Sequence, residues 1–333
     1  MSDVRKEILQ ALREAYGAHT KRKRNIKLPS ALGIENNEDG LLLQLNATLV
    51  AANMQTDEAA AEAWALVLRL WLGEKHVPRV VLDWEVPSRG AEGHYQRFLY
   101  RVGQFCKLFP EWFKVANPEK LRASKALGET LLILNVASKR EGRIEPRTSS
   151  REYKIESALW NSEQFRQHFG LDRVDRQFPV GLFAGTVSHA SRIFTGGKSA
   201  IDIVGVGRDR RFWIFELKAG ENISVGTLSE LLLYTGVIRE AARESPRIQF
   251  DHPKQDSRVG PKDVQECTGI NAVMVVENLH PLLEHPDLLD CLNDGAEIHW
   301  NSEPAAKPVC FSKARITEGV MVSDFEVAAE ASA

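Results

Sequence analysis

Three ionisable side chains in the second half of the chain lie in or at the end of strongly apolar segments. Asp202 interrupts the apolar run 200–206, and Glu216 and Lys218 lie at the end of the apolar run 211–217. Alternate residues of a β-strand share a face, so Glu216 and Lys218 project together. The short polar link between the runs predicts a β-hairpin. The pattern therefore predicts that two carboxylates and one ammonium meet on one face of a hairpin.

Burying ionised groups without partners is costly, so these three side chains must pair or share a counter-ion. Carboxylate oxygens are hard ligands that suit Mg²⁺ or Mn²⁺, and such an ion activates water and neutralises charge that develops on phosphorus. We expect Asp202 and Glu216 to bind the metal. Lys218 is expected to orient or deprotonate the water, or to stabilise the transition state. The predicted chemistry is metal-dependent hydrolysis of a phosphodiester.

The arrangement of Asp202 followed by Glu216-Leu217-Lys218 resembles the PD-(D/E)XK nuclease superfamily, the restriction-endonuclease-like fold, over about half of the chain, roughly residues 150–300. The resemblance implies an α/β fold with an αβββαβ core and a mixed central sheet. It also implies a nuclease, with DNA favoured over RNA as substrate, and an endonuclease of restriction, phage defence or repair.

Four further positions follow from this resemblance. Glu156 matches the acid that the first helix of the family often adds to the metal site. Gln177, on the strand before the aspartate, is a candidate accessory residue, and Glu230 and Tyr234 lie four residues apart on the next predicted helix. The chain departs from the family at Ile201, in place of the eponymous proline, and at Glu230, in place of the usual glutamine.

Periodicity predicts the elements that carry these residues. The second half is predicted in the order αβββαβαβ, with helices at 151–168, 227–243 and 286–293 and strands at 176–183, 200–206, 211–217, 270–277 and 296–300. The first half is predicted as a separate α/β unit, with helices at 4–19, 56–72 and 94–115 and strands at 40–51, 79–86 and 130–136.

The polar stretch 138–150 predicts a link between two domains, an N-terminal α/β domain at 1–148 that recognises or senses a ligand, and a nuclease-like domain at 149–333. Residues 1–150 carry 23 basic and 18 acidic side chains, whereas the remainder carries 20 and 27. A basic half beside an acidic half is compatible with a protein that binds a polyanion on one face and cations on another.

Several other charged residues have two interpretations. Lys198 and Arg192 are candidate phosphate contacts in a loop that lacks the first glycine of a phosphate-binding loop. The basic run 21–27 either contacts phosphates or is a solvated linker. Asp83 and Glu85 are interpreted as solvated acids at a strand end rather than as a second metal site.

Composition excludes other classes of protein. No apolar run is long enough to span a membrane, no signal peptide is indicated, and the four cysteines have neither zinc-ligand nor disulfide spacing, so a cytoplasmic protein is expected. A homodimer is a candidate assembly. The competing hypothesis is a catalytically silent nuclease-like module that binds nucleic acid or a protein partner.

Overall fold

The computed structural model describes residues 3–20, 26–38, 40–88, 92–128, 131–136, 150–194, 199–220, 224–251, 258–317 and 321–327. The chain is an α/β protein with mixed sheets. Within the described residues no helix combines the length and the apolar character needed to cross a bilayer.

The first half folds around a four-stranded sheet in the order β1-β2-β3-β4, with β1 antiparallel to β2 and the other pairs parallel. Its elements are α1 (Asp3–Thr20), β1 (Gly33–Asn37), β2 (Gly40–Leu45), α2 (Ala47–Val50), α3 (Ala61–Leu72), β3 (Arg79–Trp84), α4 (Glu92–Leu108) and β4 (Phe113–Val115). Helix α1 buries one stripe, Ile8, Leu12 and Tyr16, as its sequence periodicity predicts.

The remaining elements are β5 (Leu132–Leu134), α5 (Arg151–Asn161), α6 (Glu163–His168), β6 (Leu171–Pro179), β7 (Leu182–Ala184), β8 (Ala200–Gly207), β9 (Phe212–Lys218), α7 (Gly226–Ala241), β10 (Ile248–Phe250), α8 (Pro261–Gln265), β11 (Ile270–Val276), α9 (Leu288–Gly295), β12 (Val309–Thr317) and β13 (Met321–Val327). They form a six-stranded sheet in the order β13-β12-β11-β9-β8-β6. Strand β8 runs antiparallel to both of its neighbours, β6 and β9, whereas β11 is parallel to β9 and to β12.

Alternation along β9 divides the apolar packing into two layers. Phe212 and Ile214 belong to a large cluster that includes α7, whereas Phe215 and Leu217 belong to a smaller cluster with α5 and α6. Every residue of α7 is buried, because this helix packs against the six-stranded sheet on one side and against α3 and α4 of the first half on another. The two predicted halves thus share one large apolar core.

A three-stranded sheet also joins the halves, since β5 pairs with β10 and β7. The predicted domain boundary between residues 148 and 149 lies outside the described residues.

The predicted strand at 296–300 is wrong. Ala296–Trp300 forms a π-helical turn that continues α9, with Trp300 buried and Ile298 exposed. Short apolar runs do not distinguish strand from helix by periodicity, and here the direct continuation from α9 determines the outcome. Strand β12, and not residues 296–300, pairs with β11 on the side away from β9.

Other boundaries also differ from those predicted. The strand that begins at Gly40 ends at Leu45, and the helix expected at 94–115 ends at Leu108 before β4. The helix expected at 151–168 is two helices, because the Ser162 hydroxyl accepts a hydrogen bond from the Phe165 backbone nitrogen and caps α6. Strands β1, β4, β10, β12 and β13 were not predicted.

Candidate active site

Asp202 and Glu216 meet on neighbouring strands of the six-stranded sheet. Residues Ile203 and Phe215 are paired in the antiparallel register of β8 and β9, so the next pair in this register is Asp202 and Glu216. One carboxylate oxygen of Asp202 accepts a hydrogen bond of 2.9 Å from the backbone nitrogen of Leu217. The hairpin therefore brings both predicted acids to one face of the sheet, with Asp202 half-buried and Glu216 buried.

Lys218 lies among acids. Its Nζ is 2.6 Å from Glu216 Oε1 and 2.8 Å from Glu230 Oε2, and the Lys218 side chain is only 3% exposed. Glu152 Oε1 of α5 lies 4.0 Å from the same nitrogen. Glu152 is not among the residues predicted from the sequence, although it precedes Glu156 by one helical turn and so shares its face.

Helix α5 and strand β6 bring two further predicted residues together. Gln177 donates a hydrogen bond of 2.9 Å from Nε2 to Oε2 of Glu156, which is buried. The register of β6 and β8 places Gln177 opposite Asp202, between the pairs that Arg176 and Phe178 form. Gln177 has a φ of 54°, a left-handed conformation that is uncommon for a residue other than glycine. Uncommon backbone conformations are frequent at functional sites.

Helix α7 contributes Glu230 and Tyr234, both buried. Glu230 Oε1 accepts a hydrogen bond of 2.8 Å from Nε2 of Gln55, a residue of the first half. The pKa of Tyr234 is raised well above its ordinary value by burial and by the negative charges of Glu230 and Glu216. The departure from the family pattern at Glu230 therefore adds an acid to the site and not to the surface.

The carboxyl groups of Asp202 and Glu216 resist ionisation. Burial raises the pKa of Asp202 to about 8, against the opposing effect of the Lys218 ammonium. Burial, Asp202 and Glu230 raise the pKa of Glu216 well above its ordinary value. Burial lowers the pKa of Lys218, but Glu216, Glu230 and Asp202 together outweigh it, so the pKa is raised and the ammonium stays protonated near neutral pH.

The donor set suits a hard divalent cation. Among the described residues, Glu216 Oε2 is buried and has no hydrogen-bond partner, and the surrounding acids outnumber the one ammonium that contacts them. Glu216 and Asp202 offer carboxylate oxygens, the ligands that Mg²⁺ and Mn²⁺ prefer. Within the described part of the chain, no three His, Cys, Asp or Glu side chains are grouped as the ligands of a metal ion would be.

Helix α4 of the first half approaches the same site. The Arg97 guanidinium, which is nearly buried, donates a hydrogen bond of 2.5 Å to the Ser199 hydroxyl immediately before β8. Burial lowers the pKa of Arg97, and Tyr234 and Glu230 act against it. Arg101, one turn further along, forms a buried ion pair of 3.2 Å with Glu62. Arg97 and Arg101 were not predicted as part of the site, because only the tertiary fold brings α4 to α7.

Of the two predicted phosphate contacts, only Arg192 is among the described residues. Lys198 lies outside the described residues, as do residues 21–25 of the basic run. Arg192 forms an isolated antiparallel bridge with Phe183, beside β7. In the described part of the chain no ion pair joins Arg192 to the acids of the site.

The other predicted acid pair has local partners. Asp83 pairs with Lys120 at 2.6 Å, and Glu85 is exposed and accepts a hydrogen bond from the Ala47 backbone nitrogen. These acids line an open cleft of about 680 Å³ at the ends of β2 and β3. Their arrangement agrees with strand-end acids rather than with a second site that holds a metal.

No family model matches the sequence, and neither the comparison with curated proteins nor the comparison with solved structures gives a match. Any functional conclusion therefore depends on the geometry of the site itself.

Proposed function

We propose that this protein is a divalent-metal-dependent nuclease that hydrolyses phosphodiester bonds, with DNA favoured over RNA. The observation that carries the proposal is the meeting of Asp202, Glu216 and Lys218 on two adjacent strands, with 2.6 Å between Lys218 Nζ and Glu216 Oε1. Two carboxylates and one ammonium in a buried setting are suited to a reaction that develops negative charge.

The order of elements around the site supports the same proposal. Helix α5 is followed by the antiparallel strands β6, β8 and β9, then by α7 and by β11, which is parallel to β9. With α6, β10 and α8 as further elements, this order is compatible with the αβββαβ core that the resemblance to the PD-(D/E)XK superfamily implies. Strand β7 is an addition, since it pairs with β5 outside the six-stranded sheet.

Each side chain has a role that follows from its position. Asp202 and Glu216 would hold Mg²⁺ or Mn²⁺, with Glu156 assisting directly or through water. When bound, the ion would lower the pKa of water and polarise the phosphate. Lys218, held by Glu216 and Glu230, would present its ammonium to the negative charge of the phosphate. Glu230 thereby fixes the direction of the Lys218 side chain.

The direct test is cleavage of plasmid, single-stranded DNA and RNA in Mg²⁺, Mn²⁺ or EDTA. We expect metal-dependent cleavage by the wild type and a loss of about 10²- to 10³-fold in Lys218→Ala and in Glu216→Gln, as for removal of other transition-state contacts. Lys262→Ala is the matched control, because that lysine side chain is 81% exposed on α8. Thermal unfolding identifies any variant that fails to fold.

One observation favours the alternative, a silent module that binds nucleic acid or a protein. The Lys218 ammonium already contacts two acids, so the cluster partly neutralises itself without a metal. Such a module would bind nucleic acid without cutting it in any of the metals. Binding of nucleic acid by the wild type with no cleavage in any of the metals would exclude the nuclease in favour of this alternative.

A further inference from the structure

Helix α5 carries two neighbouring stripes of different chemistry. Glu152 and Glu156 form an acid stripe, and Glu152 reaches to 4.0 Å from the Lys218 ammonium. Tyr153, Ser157 and Trp160 follow helical spacing beside it and are all half-buried. With a rise of about 1.5 Å per residue, the second stripe runs roughly 10 Å along the helix next to the acids.

The second stripe holds an arginine of strand β6 in place. The Arg176 guanidinium lies 5.3 Å from the ring centre of Tyr153 and 4.6 Å from that of Trp160. Its Nη1 donates a hydrogen bond of 2.6 Å to the Ser157 hydroxyl. Stacking on two rings and one hydrogen bond fix the plane of this guanidinium. Arg176 also directly precedes Gln177, which contacts the acid stripe.

A second arginine reaches the same indole ring. The Arg258 guanidinium lies 5.2 Å from the ring centre of Trp160, and Arg258 is exposed. The buried Asp175 carboxylate accepts hydrogen bonds from the backbone nitrogens of both Arg176 and Arg258, at 2.9 and 3.2 Å. Among the described residues, no carboxylate lies within ion-pair distance of the Arg258 guanidinium. We call Tyr153, Trp160, Arg176 and Arg258 the arginine clamp.

The chemistry of the clamp suits a phosphate diester. A guanidinium that stacks on an aromatic ring leaves its N–H edge available, and this edge matches two phosphate oxygens. Two such cations on one ring repel each other, and an anion between them would relieve the repulsion. Because the rings already contact the arginines, they are less suited to stacking on nucleobases. The clamp would therefore contact the nucleic-acid backbone and not read its sequence.

We propose that Arg258, beside the fixed Arg176, binds the phosphodiester backbone of nucleic acid next to the bond that the site cleaves. The location of the cleaved bond rests on the proposed function, whereas binding by the clamp does not. The acid stripe faces the cluster around Lys218. The two aromatic residues of the clamp, Tyr153 and Trp160, lie on the adjacent stripe of the same helix. A strand bound at the clamp thus lies beside the acids.

The test measures binding in EDTA, where no metal-dependent cleavage occurs. Fluorescence anisotropy with short labelled DNA, single-stranded and duplex, is recorded over a range of salt concentrations. We expect Arg258→Gln to weaken binding roughly tenfold for every sequence, and to reduce the slope of log K against log salt by about 1. Arg208→Gln is the matched control, since its side chain is 74% exposed in the hairpin at the far end of β8.

A second pair of variants tests the stacking. Trp160→Leu removes the aromatic face and should weaken binding severalfold, whereas Trp160→Phe keeps a flat ring and should retain most of it. Phosphate binding by the clamp is wrong if Arg258→Gln binds DNA with the affinity of the wild type, or if the wild type does not bind DNA. If the wild type cleaves DNA and Arg258→Gln binds DNA as tightly as the wild type, phosphate binding by the clamp is wrong and the nuclease proposal stands. If the clamp binds DNA but no metal supports cleavage, the nuclease proposal is wrong and phosphate binding by the clamp stands.

Discussion

At the scale of single residues, the Asp202 carboxyl group ionises much less readily than it does in water. Its carboxyl group accepts one backbone hydrogen bond and lies near several other acids, and burial raises its pKa to about 8. The folded protein therefore holds a proton on this side chain at pH values where the unfolded chain has released it. Linkage then makes the free energy of unfolding fall as the pH rises from about 4 to about 8.

We expect Asp202→Asn to remove much of this pH dependence. The amide oxygen of asparagine can still accept the bond from the Leu217 nitrogen, but it never ionises. In EDTA the variant should match the wild type in melting temperature near pH 4 and exceed it by a few degrees at pH 8 and above. Thermal unfolding followed by circular dichroism measures this, and a constant difference across the pH range would contradict the prediction.

At the scale of elements, the segment 53–57 of the first half connects directly to the site. Gln55 is exposed, yet its amide reaches the buried Glu230, and the Gln55 side-chain oxygen accepts a hydrogen bond from Asn53. The start of α7 packs closely on this segment. A Cβ atom on Gly226 would lie 2.7 Å from the Met54 carbonyl oxygen, so glycine permits the approach.

Gln55→Ala should therefore impair the proposed nuclease by weakening the positioning of Lys218 and not by weakening substrate binding. Without the amide, Glu230 holds Lys218 less firmly, and we expect kcat to fall roughly tenfold with KM little changed. Gln167→Ala, at another exposed glutamine, is the control. Gln55→Glu should be more harmful, since it adds an acid beside Glu230. Wild-type kcat in Gln55→Ala would show that this hydrogen bond does not position Lys218.

At the scale of the whole molecule, the two halves share their core. Helix α7 is buried between the six-stranded sheet and helices of the first half, and β5 of the first half pairs with β7 and β10. A large apolar surface would be exposed if the halves separated. This arrangement makes the two halves dependent on each other for stability.

We expect the full chain to unfold in one cooperative transition and the fragment 149–333 to lack stable structure, because the fragment loses β5 and exposes α7. Calorimetry and tryptophan fluorescence should give coincident transitions for the full chain. Circular dichroism in urea tests the fragment. A fragment that unfolds cooperatively on its own would show that the shared core is dispensable.

Features that depend on near neighbours could be predicted from the amino-acid sequence. The alternation along β8 and β9 and the short polar link between them were enough to bring Asp202, Glu216 and Lys218 together, because strand periodicity and hairpin register are local properties. The first helix of the second half followed from helical spacing, whereas its acid, Glu156, was singled out by the family resemblance. The coarse α/β class followed from the alternation of helical and strand patterns.

Residues that are distant in sequence join the site through the packing of the folded chain. Gln55 and Glu230 are 175 positions apart, and nothing in either local sequence indicates their hydrogen bond. The same holds for Arg97 and for the arginine clamp, which depend on how α4 and the segment at Arg258 pack. The helical turn at 296–300 was missed for a related reason, since a short apolar run takes its conformation from its surroundings.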